Sequence, residues 1–162
     1  MREAVHLRLA QNEDLPFLFS LYCDVRGPEV SAWGWPVGQR DAFLRMQFEG
    51  QRRSYRTAYP ELADLIVCSD SLLIGRRLVA ASPEGVHLVD IALLAAYRNR
   101  GIGSCLIRQL VDDCEAKGAP LYLQVLRGNP AQRLYLRLGF RETKSDQMYI
   151  QMRWLPGLGR YA

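Results

Sequence analysis

The run Arg98-Asn99-Arg100-Gly101-Ile102-Gly103 sits between an apolar stretch and an amphipathic repeat, and its residue types suit one task, the holding of an anion. Two glycines one residue apart let the backbone approach a ligand closely, because neither carries a Cβ. The N–H groups of the turn and of the helix that follows can then point at phosphate oxygens, with the positive end of the helix dipole adding attraction. Arg98 and Arg100 contribute fixed charge and forked donors. Upstream, His87 and Asp90 interrupt the apolar run Val86 to Leu94 and are the two candidates for a general base. An ionised carboxylate in such a run is costly unless it meets a partner, a substrate amine or water, and histidine titrates near neutrality. On a regular strand residues three apart point to opposite faces, so a regular pleat lets only one of the two face a substrate.

Spacing separates the anions that such a turn could hold. A P-loop needs Gly-x-x-x-x-Gly-Lys-Ser/Thr, whereas Gly101 is followed by Ile-Gly-Ser-Cys-Leu-Ile with no lysine to reach terminal phosphates. A dinucleotide fingerprint would want glycine where Leu106 stands and an acid near the end of the next strand, where Leu126-Arg127 stand, so a nucleotide-binding oxidoreductase is a weak alternative. Cysteines at 23, 68, 105 and 114 form no Cys-x-x-Cys and have no histidine at zinc-ligand intervals, so no metal is expected. Free thiols suit a reducing cytoplasm.

The chain of 162 residues, 49% of them hydrophobic, has the size of one domain, either monomer or homodimer. Its net charge of +4 is not gathered into a basic stripe beyond Gln51 to Arg56, so no nucleic-acid partner is expected. The opening Met1 to His6 lacks a signal-peptide hydrophobic region, and no apolar run nears the roughly 20 residues of a membrane span.

These groups must be positioned by alternating elements. His6 to Ala10 reads as a strand, and a helix capped by Asn12 carries Leu15, Leu18, Leu21, Tyr22 and Val25 until Gly27-Pro28 ends it. Residues 30–38 read as a loop, and Asp41 to Tyr59 as a second amphipathic helix. Leu62 to Cys68 and Ser71 to Ala81 form a hairpin, and Ser82 to Gly85 a turn. Val86 to Leu94 reads as a strand covered on both faces. After the glycine turn come a helix closed by Lys117-Gly118, the strand Leu121 to Leu126, a helix from Asn129-Pro130 to Gly139, and a strand from Gln147 to Trp154. Residues 154–162 finish as a mobile tail.

Arg98 to Gly103 matches the pattern Gln/Arg-x-x-Gly-x-Gly/Ala, and it is flanked by Ile91-Ala92-Leu93 and by Asn129 to Phe140, a run ending Leu134-Tyr135-Leu136-Arg137-Leu138-Gly139-Phe140. In these features, over Val86 to Phe140, the chain resembles the GNAT N-acetyltransferases. The resemblance implies a single α/β domain with a mixed, mostly antiparallel twisted sheet, a central parallel pair of strands that splay apart, and flanking helices, the acyl-CoA N-acyltransferase fold. It implies acetyl-coenzyme A as cosubstrate and a primary amine of a small molecule or peptide as acceptor, or, as an alternative, a non-catalytic acyl-CoA-binding module. By the same resemblance Ile91, Ala92 and Leu93 pair with the pantetheine arm, with Asn129 also on that arm. Arg98, Asn99, Arg100, Gly101, Ile102, Gly103 and Ser104 hold the pyrophosphate, and Tyr135 donates a proton to the coenzyme sulfur. Gln124 stands where relatives that acetylate protein N-termini often carry glutamate, which argues against that acceptor. Acceptor recognition is expected from the N-terminal helices, with Trp33, Trp35, Tyr55 and Tyr59 as aromatic surface and Asp24, Glu29 and Glu49 as charge. Arg52, Arg53 and Arg56 read as a solvated helix face.

Overall fold

The computed structural model describes residues 4–158, so Met1 to Glu3 and residues 159–162 of the expected tail lie outside the described residues. One seven-stranded sheet organises the chain in the order β1-β2-β3-β4-β5-β7-β6. Its strands are β1 (Val5–Leu9), β2 (Leu62–Ser69), β3 (Leu72–Ser82), β4 (Gly85–Leu93), β5 (Leu121–Leu126), β6 (Arg141–Ser145) and β7 (Tyr149–Trp154). Every neighbouring pair is antiparallel except β4 and β5. Those two pair only through Val86–Leu121, His87–Tyr122 and Leu88–Leu123, and beyond Leu88 they diverge. The expected splayed parallel pair is therefore present.

Helices α1 (Leu15–Ser31) and α2 (Val37–Ala58) cover one face, α3 (Ile102–Lys117) covers the other, and α4 (Ala131–Arg137) follows β5. The core beneath α3 and α4 joins Leu88, Ile107, Leu110, Leu121, Leu123, Tyr135, Phe140 and Met152. Strand β5 alternates cleanly, with Leu121, Leu123 and Val125 buried in that core and Gln124 and Leu126 exposed. On the other face Leu18 of α1 and Phe48 of α2 bury Ile66 and Cys68. As the spacing predicts, α3 ends at Gly118, whose φ of 64° is the left-handed conformation that a glycine adopts without a Cβ penalty.

Four expectations need correction. Gly27-Pro28 does not end α1, which continues through it to Ser31, because Val30 at the far end is fully buried and tertiary burial outweighs the local breaker. Helix α2 begins at Val37 rather than Asp41, so residues 30–38 are a loop only in their middle. Strand β6 escaped notice because all five of its residues are exposed, leaving no alternation to read, and only its pairing with β7 holds it. Of the expected tail, Trp154 belongs to β7 and is buried, and the Gly157 N–H donates to the Glu115 carboxylate at 3.0 Å.

Gly75 on β3 lies where β4 approaches closely, and a Cβ there would collide with the Ala92 carbonyl oxygen and lie 2.7 Å from Leu93 Cδ2. Alanine would normally strengthen a strand relative to glycine. Here Gly75→Ala should instead destabilise the protein by about 1–3 kcal/mol through overpacking, read as a lower urea midpoint.

Candidate active site

Where β4 and β5 part, a cleft of about 810 Å³ opens, and its walls include Tyr55, Tyr59, His87, Asp90, Gln124, Asn129, Tyr135 and Tyr149. A bulge decides what β4 shows to it. Leu78 pairs with Asp90 and Val79 with Leu88, so Val89 is an extra residue with no partner on β3. The bulge shifts the alternation by one residue, which turns His87 and Asp90 to the same face. The expectation that only one of them could face a substrate is thereby overturned, since both line the cleft. Strand β4 is likewise not covered on both faces: Leu88 packs into the α3 core and the opposite face lines the opening.

The two candidate bases differ in setting. The His87 ring stacks on Tyr122 at 5.1 Å and tilts against Tyr59, and its Nε2 lies 3.2 Å from Ser82 Oγ, at the closed end where β4 and β5 still pair. Asp90 stands past the last paired position, where the cleft is open. Burial pushes its carboxyl above the ordinary value near 3.8, against the pull of Arg76 and of the Ile91 N–H. Tyr135, on α4 and 7% exposed, lies close enough to feel that charge. Its phenol is raised by burial and then by Asp90. Tyr55 is pushed up to about 12 by the same two causes. Both phenols therefore remain protonated at neutral pH.

Beyond the end of β4, the predicted turn precedes α3. Asn99 and Gly101 have φ of 61° and 81°, and a Cβ on Gly101 would meet nothing within 4 Å. Glycine at 101 thus answers to backbone conformation and leaves the space before the α3 N-terminus open. Arg98 plays a different part from the one its charge suggests. Its Nε donates to the Leu93 carbonyl at 2.9 Å and its Nη2 to Asp24 Oδ2 at 3.0 Å, while the same Asp24 oxygen accepts the Ala95 N–H at 2.8 Å. The guanidinium is held by the fold, bracing the turn against α1. The Arg100 guanidinium lies over the Tyr97 ring at 5.2 Å. Asn129 Oδ1 accepts the Ala131 N–H at 2.9 Å and so caps α4.

Among the residues expected to meet an acceptor, Tyr55 and Tyr59 line the cleft. Trp33 and Trp35 instead pack with Phe43 at the corner between α1 and α2, ring centroids 5.2 to 5.5 Å apart, and Asp24 is committed to Ala95 and Arg98. Arg76 was not singled out from sequence. It lies 6% exposed on β3 and forks onto Asp64, with Nε to Oδ1 at 3.0 Å and Nη2 to Oδ2 at 3.1 Å. The signal was available, because two adjacent arginines in a strand-like apolar run must find partners.

A profile of the acetyltransferase (GNAT) family matches residues 32–140. This chain belongs to the GNAT acetyltransferase family. It is 32% identical over 125 residues to a mycothiol acetyltransferase of Corynebacterium glutamicum, an alignment covering 71% of this chain and 43% of that protein. It is 29% identical over 87 residues to a ribosomal-protein alanine N-acetyltransferase of Haemophilus influenzae, covering 53% of this chain and 60% of that one. The chain thus spans less than two thirds of the length of these relatives. In fold it is similar to the PaiA N-acetyltransferase of Thermoplasma acidophilum, solved in complex with coenzyme A, with a TM-score of 0.69 at 19% identity over 94% of this chain and 99% of that one. Among the described residues no helix is long and apolar enough to cross a membrane.

Burying Asp90 has a cost whose pH dependence can be measured. Below the ordinary carboxyl value near 3.8 the group is neutral in the folded and unfolded chain alike, and stability is lost as pH rises from there through the raised folded value. Asp90→Asn should therefore raise the urea midpoint at pH 8, and the gain should shrink towards pH 4.

Proposed function

We propose that this chain is an N-acetyltransferase that moves the acetyl group of acetyl-coenzyme A to a primary amine of a small molecule or peptide. What carries the proposal is the placement of Asp90 and Tyr135 together in the opening between β4 and β5, with the glycine turn following the unpaired end of β4. The residues fit the coenzyme. The inner edge of β4 past Leu88 has no strand beside it, so Ile91, Ala92 and Leu93 offer backbone groups to an extended amide-bearing arm. The open turn from Asn99 to Ser104, at the N-terminus of a helix of 16 residues, suits a pyrophosphate. There Arg98 would act by bracing the turn, while backbone N–H groups meet the anion. Bound acetyl-coenzyme A supplies an acetyl group activated as a thioester.

The side chains of the cleft divide the proton work. Asp90, with its raised carboxyl, takes a proton from the acceptor ammonium, either directly or through water, and so exposes the nitrogen lone pair. Tyr135 Oη keeps a proton at neutral pH and can deliver it to a departing thiolate. A backbone N–H near Leu93 offers a donor for negative charge that develops on the acyl oxygen. His87, held by Tyr122 and Ser82, shapes the closed end of the cleft and is the less suitable base.

Thiol release with acetyl-coenzyme A across a panel of amines tests the proposal. Tyr135→Phe should lower kcat by about a hundredfold or more, while calorimetric titration shows acetyl-coenzyme A binding retained within about threefold. The wild-type kcat should rise with pH as Asp90 loses its proton. Coenzyme binding with no thiol release for any amine would overturn transfer in favour of a non-catalytic binding module.

A further inference from the structure

A second cavity, of about 370 Å³, adjoins the cleft and is walled by Arg52, Tyr55, Arg56, Tyr59, Asp64 and Arg76, among others. Tyr55 and Tyr59 line both spaces, so the two cavities share a wall beside Asp90. Its charge is unbalanced, with three guanidinium groups facing one carboxylate. Arg76 occupies both Asp64 oxygens, and Arg52 reaches Asp64 only at 3.9 Å. Arg56 forms no hydrogen bond or ion pair among the described residues.

Of the arginines expected on a solvated helix face, Arg52 departs from it. Arg52 is only 16% exposed in its side chain, and Arg52 and Arg56 stand one helical turn apart, where like charges repel. Burial and the neighbouring Arg56 and Arg76 all work against the Arg52 charge, with Asp64 alone in its favour. Arg56 and Arg53 are both exposed, but Arg56 lines the cavity and Arg53 lines neither space. The fold thus gathers three guanidinium groups around the single carboxylate that lines the cavity, and planar guanidinium forks match carboxylate and phosphate oxygens.

We propose that this cavity is an anion subsite of the acceptor, holding the carboxylate or phosphate of an amine-bearing substrate while its amine lies at Asp90. The assignment rests on the acetyl transfer proposed for the adjoining cleft. Its volume suits one oxyanion on a short carbon chain.

Matched acceptor pairs in the thiol-release assay test it: amino acids against their amides for the carboxylate, phosphoethanolamine against ethanolamine for the phosphate. The anionic member of at least one pair should have a kcat/KM higher by about tenfold or more, and the pair that shows it identifies the oxyanion. Arg56→Ala should collapse that preference through KM, and Arg53→Ala should leave it intact. Equal or better turnover of the neutral members overturns the subsite and leaves acetyl transfer standing. Calorimetric titration with glutarate and with inorganic phosphate supplies a readout independent of turnover. One of them should bind wild type and bind Arg56→Ala about tenfold more weakly. If no amine is acetylated, the transfer fails and this titration alone decides the subsite, with no weakening in Arg56→Ala, or no binding to wild type, overturning it.

Discussion

Strands β4 and β5 stop pairing after three residues, and the rest of the site follows from that interruption. Each strand remains bonded on its outer side, β4 to β3 and β5 to β7, so the sheet stays continuous at its flanks. The inner edges lose their partners. Backbone N–H and C=O groups in a protein interior demand hydrogen bonds, and an opening between two strands in the middle of a sheet is therefore a place where water or an extended ligand must supply them. Parallel strands normally lie fully covered, so this opening lets side chains that would otherwise be buried reach a substrate.

The bulge at Val89 makes the opening useful chemically. Without it, Asp90 would turn to the α3 side, into the core that holds Leu88 and Leu123. With it, the carboxylate sits at the cleft but remains shielded enough that burial raises its proton affinity. The same low-polarity setting keeps Tyr135 protonated. One environment thus raises the proton affinity of a carboxyl and of a phenol together, and the fold tolerates a carboxylate that packing alone would not favour. The arginine cluster on the far side of Tyr55 extends the pattern. Arg76 contributes to both places, since it lowers the cost of charge on Asp90 and forks onto Asp64 in the neighbouring cavity.

Bracing of the turn before α3 is a separate matter. Asp24 of α1 accepts hydrogen bonds from both Ala95 and Arg98, which ties the helix on one face of the sheet to the loop that leads to the helix on the other. The geometry of the turn therefore depends on where α1 packs, as well as on its own glycines.

Much of this was legible in the chain itself, because local chemistry carries its own marks. Glycines at 101 and 118, the apolar repeats of α3 and the apolar run of β5 reflect short-range backbone and burial rules, and they locate the turn, the helix and the strand within a residue or two. Strand β6 left no mark, being exposed along its length, and α1 crossed a local breaker because distant packing outweighed it. The tertiary structure alone decided that His87 and Asp90 share a face, that Arg98 is a brace, and that Arg52, Arg56 and Arg76 converge. Each of these depends on register or on residues far apart in sequence, and a bulge of one residue or the meeting of a helix with a strand leaves no periodic trace in the chain.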